Sequence, residues 1–200
     1  MTFLGPDGQP RCDWAGSAPG FVEYHDTEWG FPVADDVRLF EKFCLEGFQS
    51  GLSWRTILDK RESFRAAFAG FDLDTVAGFD ESDVLRMLAD AGIVRHRGKI
   101  EAAINNAGRA LELVESEGSL AAFVWRHEPD PAEIPAPQTL TTSPTAIALS
   151  KDLKKRGWKF VGPTTVFSFM QAMGLVNDHA HDCVVRASVA AARDAFTPPA

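Results

Sequence analysis

The chain has 200 residues, 45% of them hydrophobic and 24% charged, a balance that excludes a disordered chain and lets one substantial core form without disulfide or metal support. No apolar run reaches the length of a membrane span, and no basic stretch leads into an apolar one as in a signal peptide. Its three cysteines are too few for a secreted disulfide framework, so a cytoplasmic location is expected and a membrane partner is not. The net charge of −8 hides two basic islands, net +4 over residues 151–160 and net +2 over 95–101, on an otherwise acidic body.

In chain order, residues 1–34 are rich in Gly, Pro and aromatics without sustained periodicity, and read as an irregular arm. From Asp35 a 3.6-residue period takes over. Phe40, Phe43, Cys44 and Phe48 form one helical stripe, with Asp35 or Asp36 as N-cap. Ser53 is placed to cap a second helix through Ile57, Phe64 and Phe68. Asp80 or Ser82 opens a third that closes at Gly92, and the stripe Ile100, Ala103, Ile104, Ala107, Leu111, Val114 marks a fourth. A short helix runs through Phe123–Trp125. Residues 127–142, with four prolines among residues 129–137, read as a loop within one fold. Ser143-Pro144 opens a helix that ends at Gly157, Pro163 opens another, and a last one begins near Asp182. Strand signals are nearly absent. The expected class is all-α, a single domain over residues 1–200 with an N-terminal arm (1–34) and a C-terminal extension (184–200).

The segment between Gly157 and Gly162 joins two helices through a tight turn. Gly157 permits the left-handed conformation that ends a helix, and Gly162-Pro163 starts the next with unpaired backbone N–H groups at its positive end. With Lys154, Lys155, Arg156 and Lys159 beside it, this is the layout of a helix-hairpin-helix clamp for a DNA backbone.

His179 and Cys183 stand four residues apart, a spacing that places two ligands on one helical face. Cys12 and His25 supply two more from the arm, and a Cys2His2 set would tie the arm to the far end of the chain. His181 competes with His179 on this reasoning. Trp14, Phe21, Tyr24, Trp29 and Trp54 form a dense aromatic set suited to stacking a planar ligand, or to pinning a loop. Glu46 falls beside the apolar stripe; buried there, it would need a cationic or hydrogen-bonding partner.

Taken together, RCDW, YHDTEWGFP, CLEGFQSGLSW, AGIVRHRGKI and ALSKDLKKRGWKFVGPTTVFSFMQAMGLVNDH closely resemble the 3-methyladenine DNA glycosylase I family, in the same order from about residue 11 to 183. The resemblance implies the all-α helix-hairpin-helix glycosylase fold and removal of 3-methyladenine from alkylated double-stranded DNA in base-excision repair, releasing the free base. It implies a structural Zn2+ on Cys12, His25, His179 and Cys183, which decides between His179 and His181. It puts base recognition on Glu46, stacking on Trp14, Phe21, Tyr24 and Trp54, and strand filling on Gln49, Gly51 and Leu52. Backbone contacts fall on Lys155, Arg156, Gly157, Lys159 and Gly162. Phe21 stands where the family often has Tyr, and Asp178 is given no role. No lysine lies in a Schiff-base motif, so a monofunctional enzyme is expected, working as a monomer. A noncatalytic module binding damaged DNA would keep the metal site and the hairpin but would not need Glu46 among the aromatics.

Overall fold

The computed structural model describes all residues except 131, 133 and 135. Its opening segment departs from the expected irregular arm. Strand β1 (Thr2–Leu4) pairs antiparallel with β2 (Pro10–Cys12), Thr2 opposite Cys12. A single 3-10 turn (Asp13–Gly16) leads on to helix α1 (Phe21–Thr27). Strands of three residues are too short to show alternation, and a seven-residue helix is too short to show a stripe. The hairpin's one local signal is Asp7-Gly8 in its turn.

Helix α2 (Asp36–Gln49) is capped by the Asp35 carboxylate, which accepts from Arg38 N. Every residue from Leu39 to Phe48 is buried, so α2 is a central helix enclosed on all sides, not an amphipathic one with a wet back. Ser53 caps α3 (Trp54–Asp59) as expected. The helix foreseen through Phe68 instead breaks at Lys60, whose ammonium binds the Ala91 and Gly92 carbonyls, and resumes as α4 (Arg61–Ala67). A short α5 (Leu73–Ala77), capped by Asp72, went unforeseen. Asp80 and Asp83 form a capping box at the start of α6 (Glu81–Ala89). Helix α7 (Arg97–Glu117) carries the long apolar stripe, and α8 (Leu120–Trp125) follows, capped by Ser119. The Asp36 carboxylate also accepts from Leu120 N and Ala121 N, joining the starts of α2 and α8.

Helices α9 (Pro144–Lys155) and α10 (Pro163–Ala172) flank the tight turn. Gly157 takes φ +85°, and no side chain caps α10. Asn106 on α7 pairs with both the N–H and the carbonyl of Lys159, and Asn105 donates to the Gly157 carbonyl, so α7 fixes the turn's shape. Gly174, at φ +84°, lets the chain after α10 run against Pro32; a Cβ there would stand 2.5 Å from the Pro32 backbone. The last helix, α11 (Arg186–Ala195), starts later than expected because residues around Cys183 form turns.

One contiguous core runs from Cys12 to Val189, with Phe43 stacked on Phe169 across α2 and α10 at 3.6 Å. The C-terminal extension belongs to this packing. Val189 is buried, Phe196 lies 4.6 Å from Trp125, and Arg193 pairs with Glu128. Among the described residues no helix is long and apolar enough to cross a membrane.

Candidate active site

Strand β2 delivers Cys12, helix α1 delivers His25, and the turns after α10 deliver His179 and Cys183. All four are buried, and their donor atoms lie within 4.8 Å of one another. His25 Nε2 is 3.1 Å from His179 Nδ1, and the Cys183 thiol is 3.5 Å from each of these nitrogens. Cys12 Sγ lies 3.8 Å from His179 Nδ1 and accepts from Ala180 N. The i,i+4 spacing thus brings the right pair together through turns, not on a helix. His181 is exposed and outside the cluster.

The outer nitrogens of both rings are already committed. His25 Nδ1 donates to the Asp26 carboxylate at 2.7 Å, and His179 Nε2 donates to the Trp29 carbonyl at 2.9 Å. The two inner nitrogens therefore face each other with lone pairs and no hydrogen between them, an arrangement suited to a shared cation. A proton is a poor candidate, because burial lowers both histidines, His179 to about 4. Burial pushes the Cys12 thiol up to about 12, so its thiolate too needs a cation beside it. Two thiols and two oriented imidazoles fit a tetrahedral metal ion.

A cavity of about 340 Å³ opens beside this cluster, within the size range of small-ligand sites. The arm lines one side with Trp14, Phe21, Tyr24 and Trp29; α2 and α3 contribute Glu46, Gln49 and Trp54. The stacking residues and the carboxylate read from the sequence are thus brought together. Trp14 meets Phe21 edge-on at 5.8 Å, and Tyr24 lies 5.4 Å from Trp54. Glu46 is buried, and its ion-pair partner is Lys42 one turn earlier, at 2.9 Å. Lys42 went unnamed in the sequence reading, although a Lys-x-x-x-Glu pair on one helix was legible.

The far wall was missed as well. Gln138, Ser168, Gln171 and Asp178 face the cavity. Asp178 accepts from Gln138 N at 2.8 Å and from Gln171 Nε2 at 2.7 Å, while burial pushes its carboxyl up from the ordinary range. Only its sequence position beside His179 hinted at this placement.

Gly51 and Leu52 lie on the loop between α2 and α3, where Gly51 has φ +79° and Leu52 is exposed. The Lys99 ammonium fixes this loop by binding the Phe48 and Ser50 carbonyls. That alters the reading of the basic island at 95–101. Lys99 is buried, and Arg97 is held by Glu81 and Glu101, so this island is largely spent on the fold. The other island is different. Lys155 and Lys159 are exposed with no ion pair among the described residues, whereas Arg156 is engaged by Glu117 and Asp152. Gly157 and Gly162 bracket the turn between them.

The family model for methyladenine glycosylase matches residues 14–187. The chain is 50% identical over 177 residues to DNA-3-methyladenine glycosylase 1 of Escherichia coli (strain K12), covering 86% of this chain and 95% of that protein. It is 43% identical over 182 residues to DNA-3-methyladenine glycosylase of Haemophilus influenzae, covering 89% and 98%. A solved structure of 3-methyladenine DNA glycosylase I from Staphylococcus aureus, described as showing the basis of 3-methyladenine recognition, superposes with a TM-score of 0.83 at 38% identity over 88% of this chain and 95% of that one. With the family model spanning most of its length and such relatives matched almost end to end, the chain belongs to the methyladenine glycosylase family.

Proposed function

We propose that this protein removes 3-methyladenine from alkylated double-stranded DNA in base-excision repair, as a single-domain monomer without lyase activity. The observation that carries this reading is the buried Glu46 in a cavity walled by Trp14, Phe21, Tyr24 and Trp54. A binding module has no need of a carboxylate in such a place.

The chemistry asks little of the protein. The N3-methylated nucleotide is a cation, so when the bond between the sugar C1′ and base N9 breaks, the electron pair leaves with a neutral base and no general acid is required. The sugar is left with positive charge; water adds there and loses a proton, giving an abasic site. The protein's tasks are to flip the nucleotide out of the duplex, at a cost of a few kcal/mol, and to recognise it. The aromatic faces stack on the purine. Glu46 accepts hydrogen bonds from the adenine edge. It accelerates the reaction only to the extent that it interacts more strongly as charge develops on the sugar than in the ground state. Phe21 contributes stacking without a hydroxyl.

The turn between α9 and α10 acts as a helix-hairpin-helix. The uncapped N-terminus of α10, the backbone at Gly157 and Gly162, and Lys155 and Lys159 grip phosphates, with Arg156 in a supporting position. Gln49, Gly51 and Leu52 fill the gap that the flipped nucleotide leaves. Cys12, His25, His179 and Cys183 hold a structural Zn2+. Two sulfur and two nitrogen donors, all within 4.8 Å of one another, would suit such an ion. When bound, it supplies two positive charges to four buried ligands and locks the aromatic wall of the arm against the rest of the fold.

The deciding experiment is chromatography of the bases released from methylated duplex DNA. Release of 3-methyladenine with 7-methylguanine left in place is expected. Release of neither by folded, metal-loaded protein overturns the reading in favour of a binding module.

A further inference from the structure

The groups assigned to a cationic base already hold a cation. The Lys42 ammonium lies 2.9 Å from Glu46, donates to Tyr24 Oη at 2.7 Å and stands 3.6 Å from the centre of the Trp54 ring. The side chains of Lys42 and Glu46 are only 6% and 5% exposed. Among the described residues Glu46 has no other ion-pair partner. Lys42 does not line the cavity. It stands in a small recess that shares Tyr24 and Trp54 with the cavity. The three other cations of that recess face other carboxylates, Arg38 and Arg61 facing Glu28 and Arg65 facing Glu41 and Glu62. Burial opposes the ammonium, but Glu46 and Tyr24 outweigh it and keep Lys42 charged.

We propose that Lys42 is a specificity-determining positioning residue, whose ammonium cancels the charge of Glu46 and takes up part of the Trp54 face, so that an incoming base meets a neutral hydrogen-bonding pocket instead of an anionic one. The inference rests on the reading of the cavity as the base site. Its physical consequence concerns the ground state. The methylated base is cationic before the glycosidic bond breaks and neutral afterwards. A buried carboxylate without a counter-ion would bind the cation most tightly before reaction, and a barrier measured from that deeper well is no lower. Lys42 removes the bias while leaving Glu46 oxygens available as acceptors. Discrimination then falls on shape and hydrogen bonding more than on charge.

The test compares a permanently cationic purine, 3,9-dimethyladeninium, with neutral 3-methyladenine, each titrated near neutral pH by quenching of tryptophan fluorescence. In Lys42→Met the ratio of cation to neutral affinity is expected to rise about tenfold, because the freed carboxylate regains a counter-ion only from the ligand. Lys42→Gln is expected to move it the same way and serves if the Met variant does not fold. Lys42→Arg, which keeps the charge, is expected to hold the ratio within about twofold of the unaltered protein. Adding Glu46→Gln to Lys42→Met is expected to abolish the gain. An unchanged or lowered ratio in both neutral variants, or a gain that survives Glu46→Gln, overturns the role of Lys42. No saturable binding of either purine by the unaltered protein overturns the base-site reading itself, and this role with it.

Discussion

Asp26 binds Arg11 and His25 at once. One carboxylate oxygen accepts from His25 Nδ1 at 2.7 Å, and the Arg11 guanidinium reaches both oxygens at 2.8–3.0 Å. Burial works against the Asp26 charge, but the bonds from Arg11 and His25 outweigh it and hold the carboxyl below its usual range. The ring of His25 is thereby fixed with Nε2 turned toward the cluster. Asp26→Asn is expected to weaken metal affinity about 10- to 100-fold, the usual effect of losing such a supporting carboxylate. Competition with a chelator of known affinity measures it; an unchanged affinity would show that His25 is oriented by packing alone.

Losing a ligand outright should cost more. Cys183→Ser is expected to abolish stoichiometric zinc and leave three buried donors around an uncompensated centre. A loss of ~4 kcal/mol would lower Tm by about 8 to 16 °C in a chain of this size. Metal analysis and calorimetry on the same preparation check both halves. The arm should become the first site of proteolysis.

Glu46→Gln keeps the shape of the side chain and removes its charge. A hydrogen bond to a charged group contributes about 1.5 to 3 kcal/mol; the share of it gained only as charge develops on the sugar sets the loss in single-turnover base release, at most about 100-fold. Affinity for undamaged duplex should stay within about twofold, since no residue of the turn between α9 and α10 lines the cavity. Equal rates in the variant and the original would remove Glu46 from the mechanism.

At the turn between α9 and α10, Lys155→Ala with Lys159→Ala is expected to weaken duplex binding irrespective of sequence. Each lost phosphate contact should flatten the plot of log affinity against log salt by about 0.9. Fluorescence anisotropy across a salt series reads the slope. If the slope stays the same, these lysines face solvent only.

Long helices were legible because their apolar period persists. Helix α7 shows its stripe over many turns, and the caps at Asp35, Ser53, Asp80 and Ser143 each hold the first-turn N–H expected of them. The hairpin β1–β2, α1 and α5 were not, since elements of three to seven residues complete too few periods to stand out. The aromatic wall and the four candidate metal donors were readable as residue types, and family resemblance chose among them. What local spacing did not convey was the company each side chain keeps. The spacing of Lys42 and Glu46 was legible but not their burial, and the far wall of Gln138 and Asp178 exists only once the loop before α9 returns to the end of α10. Charge counting failed at 95–101 for the same reason, because Lys99 serves the carbonyls that end α2.

The joining of Cys12 and His25 to Cys183 also sets a timetable. During synthesis the arm leaves the ribosome before His179 and Cys183, the two residues that complete its cluster. Until these two appear, the arm that carries Trp14, Phe21 and Tyr24 lacks its partners, so nascent chains carry the central helices before they carry a closed aromatic wall. The cavity's arm-side wall is thus closed only after Cys183 joins the other three donors.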